Sequence, residues 1–416
     1  MTAADNRRIA SLASDRAVHR AFSWLHLHEP QMRRWQLEFL AVPAPPFGEA
    51  ERAAWFCERF REIGLEGARL DAEGNAVAEL RGAKAADDAF VVLLSAHLDT
   101  VFPAGTVCTP REDDARILGP GACDNGAGLA ALLGLAAALH HAKIVPACTI
   151  VFAANVGEEG EGDLRGMRHL FSASPYAGRI RSAIALEGGG DATVVDRALG
   201  SRRLRVTVTG PGGHSWADAG RPNPIMALAA ALVDLGRLKL PARPRTTLNC
   251  GVIHGGTSVN SIPESATADL DLRSVSSLEL DRIELTVLHT LTRAIEFHNH
   301  GNVTPESELQ LRVARIGDRA AGSLATNSAL FKSLAAVDRH LGLATESRIG
   351  STDANLPLSL GVPALAIGAG GMGWGIHTLQ EGYDPTGRDL ALRRILLLLL
   401  DACALSMPNN LVHSGA

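Results

Sequence analysis

A small set of acidic and imidazole side chains stands in glycine-punctuated motifs. His97 and Asp99 lie in Ser95-Ala-His-Leu-Asp99, and Asp124 in Gly121-Ala-Cys-Asp-Asn-Gly126. Glu158 and Glu159 lie in Gly157-Glu-Glu-Gly160, Glu187 precedes Gly188-Gly-Gly190, and His377 follows a glycine-rich loop. Imidazole and carboxylate together suit a divalent cation, zinc first, with manganese and cobalt compatible. One carboxylate can bridge two such cations, and a bridged pair can activate a shared water. Asp99, two residues after His97, is placed to orient that imidazole from behind. Glu158 and Glu159 are adjacent, and from extended backbone they cannot both point the same way. One can ligate while the other acts as general base. Singly, each has a plain explanation, a packed strand-end histidine or a solvated Glu-Glu pair. Their joint order along the chain points to a metal pair.

Those motifs need elements to converge them. Four short apolar runs, Phe90–Ala96, Thr149–Ala154, Ser182–Leu186 and Pro363–Ile367, read as buried parallel strands. Helical patterns over Glu49–Ile63, Gly126–His140 and Ala325–Leu341 alternate with them. The result is an α/β fold, a mixed and mostly parallel sheet with helices on both faces. Each run leads into or is followed by one of the motifs, and open α/β sheets bind ligands beyond their carboxyl strand ends. The stretch from about 200 to 315 differs. Arg203–Thr209, Thr246–Ile253, Thr267–Arg273 and Gln310–Ile316 read as strands, with helices over Pro224–Leu238 and Ser277–His298. The order β-α-β-β-α-β predicts an inserted α+β, ferredoxin-like unit. The expected division is therefore residues 1–199 and 316–416 as one interrupted domain, and 200–315 as the insert.

The chain has 416 residues, a length that favours two domains over one. Forty Lys and Arg against 45 Asp and Glu give a net charge of −5, which offers no footprint for nucleic acid or a membrane surface. Six cysteines without a C-x-x-C pair read as reduced thiols. The start, Met1–Arg8, lacks an apolar signal core. The longest apolar stretch, Gly126–Val145, is broken by His140, His141 and Lys143, so no membrane span is expected. A cytoplasmic chain is the expectation.

Other motifs carry less. Gly368-Ala-Gly-Gly-Met-Gly373 fits the dinucleotide fingerprint G-x-G-x-x-G. That motif should open a helix inside a βαβ unit, and Trp374-Gly-Ile-His377 does not read as one. The loop, Gly371 included, is expected to line a substrate pocket with backbone. Trp24–Leu40 reads as one helix, which turns His26 and His28 to different faces. His140, His141, His298 and His300 fall near helix C-termini, where the dipole favours them. Cys123 reads as a small buried residue.

Taken together, Ser95-Ala-His-Leu-Asp-Thr-Val101, Gly119-Pro-Gly-Ala-Cys-Asp-Asn-Gly126, Gly157-Glu-Glu-Gly160, Gly212-Gly-His-Ser215 and His377-Thr-Leu-Gln-Glu381 resemble the M20 family of metallopeptidases, from about residue 35 to 410. The resemblance implies a zinc-exopeptidase-like catalytic domain and a lid that also forms a homodimer interface. It implies two zinc ions per subunit, with His97 and Glu187 on one, Glu159 and His377 on the other, and the Asp124 carboxylate bridging them, its peptide to Asn125 cis. Glu158 is then the general base and Asp99 the orienting carboxylate. On the lid, His214 matches an oxyanion-stabilising histidine, and Asn260 and Arg273 match positions that hold substrate polar groups. Arg319 and Asp353-Ala-Asn355 are weaker matches of the same kind.

The implied reaction is metal-assisted hydrolysis of an amide bond in a small peptide or N-acyl amino acid. Pro43-Ala-Pro-Pro-Phe-Gly-Glu49 and Gly212-Gly-His-Ser-Trp216 resemble the peptidase T-like branch and favour an exopeptidase of di- and tripeptides. Glu187, where that branch often has Asp, points toward N-acyl-amino-acid deacylases and glutamate carboxypeptidases, and Thr378 stands where Ser is usual after the late histidine. A metal-free binding protein is the remote alternative.

Overall fold

The computed structural model describes residues 3–83, 90–300 and 308–406. The ends of the chain that the expected division included, residues 1–2 and 407–416, lie outside these. The chain forms two compact units, Met1–Ala198 with Ser323–Ala416, and Leu199–Gly322.

The larger unit is built on one mixed sheet. Its strands run in the order Glu66–Leu70, Ala76–Leu80, Thr149–Asn155, Val91–His97, Ile180–Leu186, Ala364–Ile367 and Thr193–Ala198, and Glu346–Gly350 pairs with the last. Val91–His97 is parallel to both its neighbours, and Ile180–Leu186 is parallel to Ala364–Ile367. Antiparallel pairs flank this centre. Every residue of Val91–His97 and of Thr149–Asn155 is buried, as in a sheet covered on both faces.

Helix Gly126–His141 is buried from Gly126 through Leu139. Its Ala, Leu and Gly content lets the backbone approach closely. A Cβ at Gly128 would stand 2.8 Å from the Leu186 carbonyl oxygen. Helix Arg388–Leu405 is buried from Arg394 through Cys403. Its Arg394, 0% exposed, bonds both oxygens of Asp338 at 2.6 and 2.7 Å, the pairing that a buried guanidinium requires.

The expected helix Trp24–Leu40 is two helices, Arg16–Leu27 and Glu29–Leu40, with His28 between them. Pro30 lies in the first turn of the second helix. It has no N–H to bond the carbonyl a turn earlier, so the first helix ends at Leu27 and a new one starts at Glu29, where a first-turn proline is tolerated. His28 stacks on Trp24, with ring centroids 4.2 Å apart.

Apart from a short antiparallel pair, Gly213–His214 with Ser261–Ile262, the smaller unit has the element order β-α-β-β-α-β. Its antiparallel sheet runs Thr246–Gly255, Ser265–Ser274, Gly200–Thr209, Gln310–Arg319. Ser265–Ser274 buries every second residue, so one face is core and the other is partly open. Helices Pro224–Gly236 and Ser277–Asn299 pack with Leu204, Val206, Val208, Leu270 and Leu272 into a core of their own. Among the described residues, no helix of either unit is long and apolar enough to cross a membrane.

Candidate metal centre

The carboxyl ends of three adjacent parallel strands deliver the ligand candidates. His97 ends Val91–His97, Glu187 follows Ile180–Leu186, and Glu158 and Glu159 lie just beyond Thr149–Asn155. Asp124 precedes helix Gly126–His141 and is joined to Asn125 by a cis peptide bond. His377 sits in the loop after Met372–Trp374 in a left-handed backbone conformation, φ +64°.

These side chains meet. The two oxygens of Asp124 divide between two histidines: Oδ1 is 3.2 Å from His97 Nε2, and Oδ2 is 3.0 Å from His377 Nε2. His97 Nε2 is also 3.4 Å from Glu187 Oε1, and His377 Nε2 is 3.1 Å from Glu159 Oε1. The ligand atoms of His97, Asp124 and Glu187 lie within 4.8 Å of one another, as do those of Asp124, Glu159 and His377 and those of His97, Glu158 and Glu159. Glu187 Oε2 is buried without a hydrogen-bond partner. Three carboxylates facing two imidazoles, with one buried oxygen unsatisfied, is a donor set that fits two hard or borderline cations.

The electrostatics show what the cluster costs without a counter-charge. Burial, with Glu158 beside it, pushes Glu159 up to about 8, and burial pushes Glu187 up to about 7. Burial opposes ionisation of Asp124 too, but His377 and His97 outweigh it and hold that carboxyl far below its usual range. Hydrogen bonding to Asp124 raises His377 to about 9. Burial disfavours a charged His97, yet its bonds to Asp124, Asp99 and Glu187 hold it well above its ordinary value.

Behind the ligands is a layer of fixed partners. His97 Nδ1 lies 3.0 Å from the Asp99 carbonyl oxygen and 3.6 Å from Asp99 Oδ1. The Asp99 carboxylate accepts the backbone N–H of Glu158 at 3.0 Å and of Glu159 at 2.7 Å. One buried aspartate therefore touches both a histidine and the Glu-Glu backbone. Asn125 spans the sheet edge, donating to the Leu186 carbonyl at 2.8 Å and accepting from Gly188 N–H at 3.1 Å.

Glu381 has no role from sequence reasoning, although it closes the His377 motif. Its carboxylate, 1% exposed, accepts the backbone N–H groups of Gly121, Cys123 and Asp124 at 3.1, 2.8 and 2.8 Å. A tight glycine loop whose N–H groups face inward needs an acceptor, and that was the available signal. Asp353 is also buried. It accepts from Asn155 Nδ2 at 2.8 Å, and burial beside Glu158 holds its acid well above the usual carboxylate range. Cys123 is buried and its thiol is pushed up to about 12, which keeps it protonated.

Gly371, φ +70°, donates to Asp191 Oδ1 at 3.2 Å, and a Cβ there would strike the Asp384 carbonyl. The loop Gly368–Gly373 leads to strand Met372–Trp374, which pairs with Gly382–Asp384 and opens no helix, so the dinucleotide reading does not hold. His214, Asn260, Arg273 and Arg319 belong to the smaller unit. His214 is exposed, and its Nδ1 accepts from the backbone N–H of Trp216 and Ala217 at 3.2 and 3.3 Å, which leaves the proton on Nε2. Asn260 accepts from the Ser258 hydroxyl, and Arg273 Nε bonds Asp271 at 2.7 Å. Arg319 ends its strand, buried.

A probable carboxypeptidase of Aspergillus clavatus is 31% identical over 201 residues, 44% of this chain and 44% of that protein. The chain thus spans less than half the length of the curated relatives it matches. A tripeptidase from Staphylococcus aureus superposes with a TM-score of 0.71 at 22% identity, covering 90% of this chain and 99% of that one. A dinuclear metal-binding peptidase from Bacillus subtilis gives 0.66 at 14% identity, covering 91% and 99%. These two show a shared fold. The family model for peptidase family M20/M25/M40 matches residues 93–399, which contain every ligand candidate, and the chain belongs to that family.

Proposed function

We propose that the chain is a hydrolase of amide bonds in small peptides, most specifically an exopeptidase of di- and tripeptides. In this reading it works with two divalent cations, zinc first. His97, Asp124 and Glu187 would hold one, and Asp124, Glu159 and His377 the other. The observation that carries the reading is Asp124, whose two oxygens face two different histidine–glutamate pairs. A bound cation pair polarises a scissile carbonyl and makes water acidic enough to deprotonate near neutral pH.

The protein's own residues do the rest. Glu158 is 4% exposed, with an oxygen within 4.8 Å of ligand atoms of His97 and Glu159. It takes the proton of the attacking water and passes it to the leaving nitrogen. Asp99 grips the N–H groups of Glu158 and Glu159, which fixes base and ligand relative to each other. His214, with its proton on Nε2, suits donation to the oxyanion of the tetrahedral intermediate. Asn260, Arg273 and Arg319 are assigned to substrate polar groups, an arginine matching a carboxylate bidentately. The Gly371 backbone is assigned to the pocket wall.

The smaller unit is proposed as a lid and as the surface of a homodimer. Its strand Thr246–Gly255 is a sheet edge with Val252 and Ile253 exposed, a ready template for a second copy. Sedimentation at micromolar concentration should give a dimer, and a monomer would remove that assignment. A cytoplasmic location is proposed on the six free thiols.

Hydrolysis of free dipeptides, tripeptides and N-acyl amino acids with added zinc, manganese or cobalt tests the activity. Cleavage of free peptides that vanishes in Glu158→Gln supports the exopeptidase. Cleavage of capped substrates alone makes the chain an N-acyl-amino-acid deacylase. No cleavage, with less than one cation bound per chain, leaves a binding protein.

A further inference from the structure

Phe47 is a large apolar side chain left 65% exposed, in a left-handed backbone conformation with φ +66°. Bulky residues rarely adopt that conformation. A single exposed phenylalanine is ordinary. One kept out in solvent by an unfavourable backbone is not, and such outliers gather at functional sites.

The surroundings hold it there. The Pro45–Gly48 turn closes with Gly48 N–H on the Pro45 carbonyl at 2.8 Å. The segment is tied to the metal-centre loop, since Thr100 N–H bonds the Ala44 carbonyl at 3.0 Å and Arg52 bonds the carbonyls of Val42 and Leu98. The Phe47 ring lies over the Arg165 guanidinium, 5.2 Å from its centroid. Arg165 is in turn held by buried Glu49 at 2.7 Å and by Glu73 at 2.9 Å. The Arg165 stem packs against Gly157, where a Cβ would stand 2.5 Å from its Cγ. Gly157 directly precedes Glu158. The ring therefore stands on a built ionic platform whose guanidinium stem packs against the residue preceding the candidate general base.

We propose that Phe47 is a specificity-determining residue whose exposed surface packs against an uncharged apolar side chain of the substrate. One face of the ring is already engaged by a guanidinium whose charge Glu49 and Glu73 balance, so the other face offers a lysyl or arginyl side chain no net electrostatic gain. Glu49 and Glu73 neutralise Arg165, so the platform draws no acidic side chain either. Leucyl- or phenylalanyl-type residues are what remains. This inference rests on the hydrolase reading above.

The test compares kcat/KM for leucyl, phenylalanyl, lysyl and glycyl substrates, as free dipeptides and as N-acetyl amino acids, on the zinc-loaded chain. The wild type should prefer leucyl over both glycyl and lysyl substrates. In Phe47→Gly the leucyl-to-glycyl ratio should fall about tenfold, the effect of a lost apolar contact in a pocket. Glycine relieves the left-handed backbone, so its melting temperature should hold or rise, which separates lost selectivity from lost folding. Phe47→Leu should restore most of the ratio. A wild type without apolar preference, or a ratio unchanged in Phe47→Gly, overturns the proposal. If the zinc-loaded wild type hydrolyses nothing, the hydrolase reading fails and takes this inference with it.

Discussion

Replacing Glu381 with Gln tests how the Asp124 loop is held. The carboxylate accepts three backbone N–H groups, two on Oε1 and one on Oε2. Gln keeps one acceptor oxygen and turns an amide N–H toward Gly121 N–H, donor against donor. One charge-assisted bond is lost and two become neutral, where bonds to charged groups are worth about 1.5–3 kcal/mol and neutral ones about 1. Burial has pushed the Glu381 acid up, so the wild-type carboxylate already carries a desolvation cost that discounts the sum. A net loss of about 2–4 kcal/mol remains. For a large unit that is a fall in melting temperature of about 5 °C or more. Because the same loop presents Asp124, zinc affinity should drop about ten- to a hundredfold. Differential scanning calorimetry of the metal-free chain and a competition titration with a chelator read the two effects. An affinity within about twofold of wild type, with an unchanged melting temperature, would refute the idea that Glu381 shapes the centre.

Further outcomes follow from the same geometry. Glu158→Gln should lower kcat by about 10²- to 10⁴-fold with cation content unchanged, so loss of cation would show a structural defect instead. In the metal-free chain His377 is raised to about 9, Glu159 to about 8 and Glu187 to about 7. Each binds its proton more tightly folded than unfolded, so its stabilisation is complete below its ordinary pKa and is lost as pH climbs through these values. Chelator-treated protein should melt lower at pH 9 than at pH 6, and zinc binding near pH 7 should release protons measurable in a weak buffer. A melting temperature that rises over that range contradicts the assignment. Asp338→Ala strands the fully buried Arg394 guanidinium and should cost about 3–5 kcal/mol in urea unfolding. A loss below about 1 kcal/mol would mean the Arg394 contacts to backbone carbonyls suffice.

Much of the larger unit is readable from pattern because its central strands are continuous apolar runs with glycine or acid at their carboxyl ends. Val91–His97 and Thr149–Asn155 differ from their sequence-derived spans by a residue at their ends. The alternation in Ser265–Ser274 is equally plain because one sheet face is core. The helix break at His28 is obscured because Pro30 is tolerated inside the first turn of a new helix, and periodicity runs through the junction. Within the site, residue types single out the histidines and acids that meet around Asp124. Glu381 and Asn125 escape because their partners are backbone groups, which no side-chain spacing reports. Phe47 escapes because its signal is a dihedral angle.

In the proposed centre Asp124 joins two cation sites. Elemental analysis of the zinc-loaded, desalted chain beside His97→Ala and His377→Ala tests it most directly. About two zinc ions per chain are predicted for the wild type, and about one for each variant, since each histidine serves a different site. A wild type holding one zinc or fewer, or a single histidine variant that empties both sites while the other empties none, would contradict the shared centre.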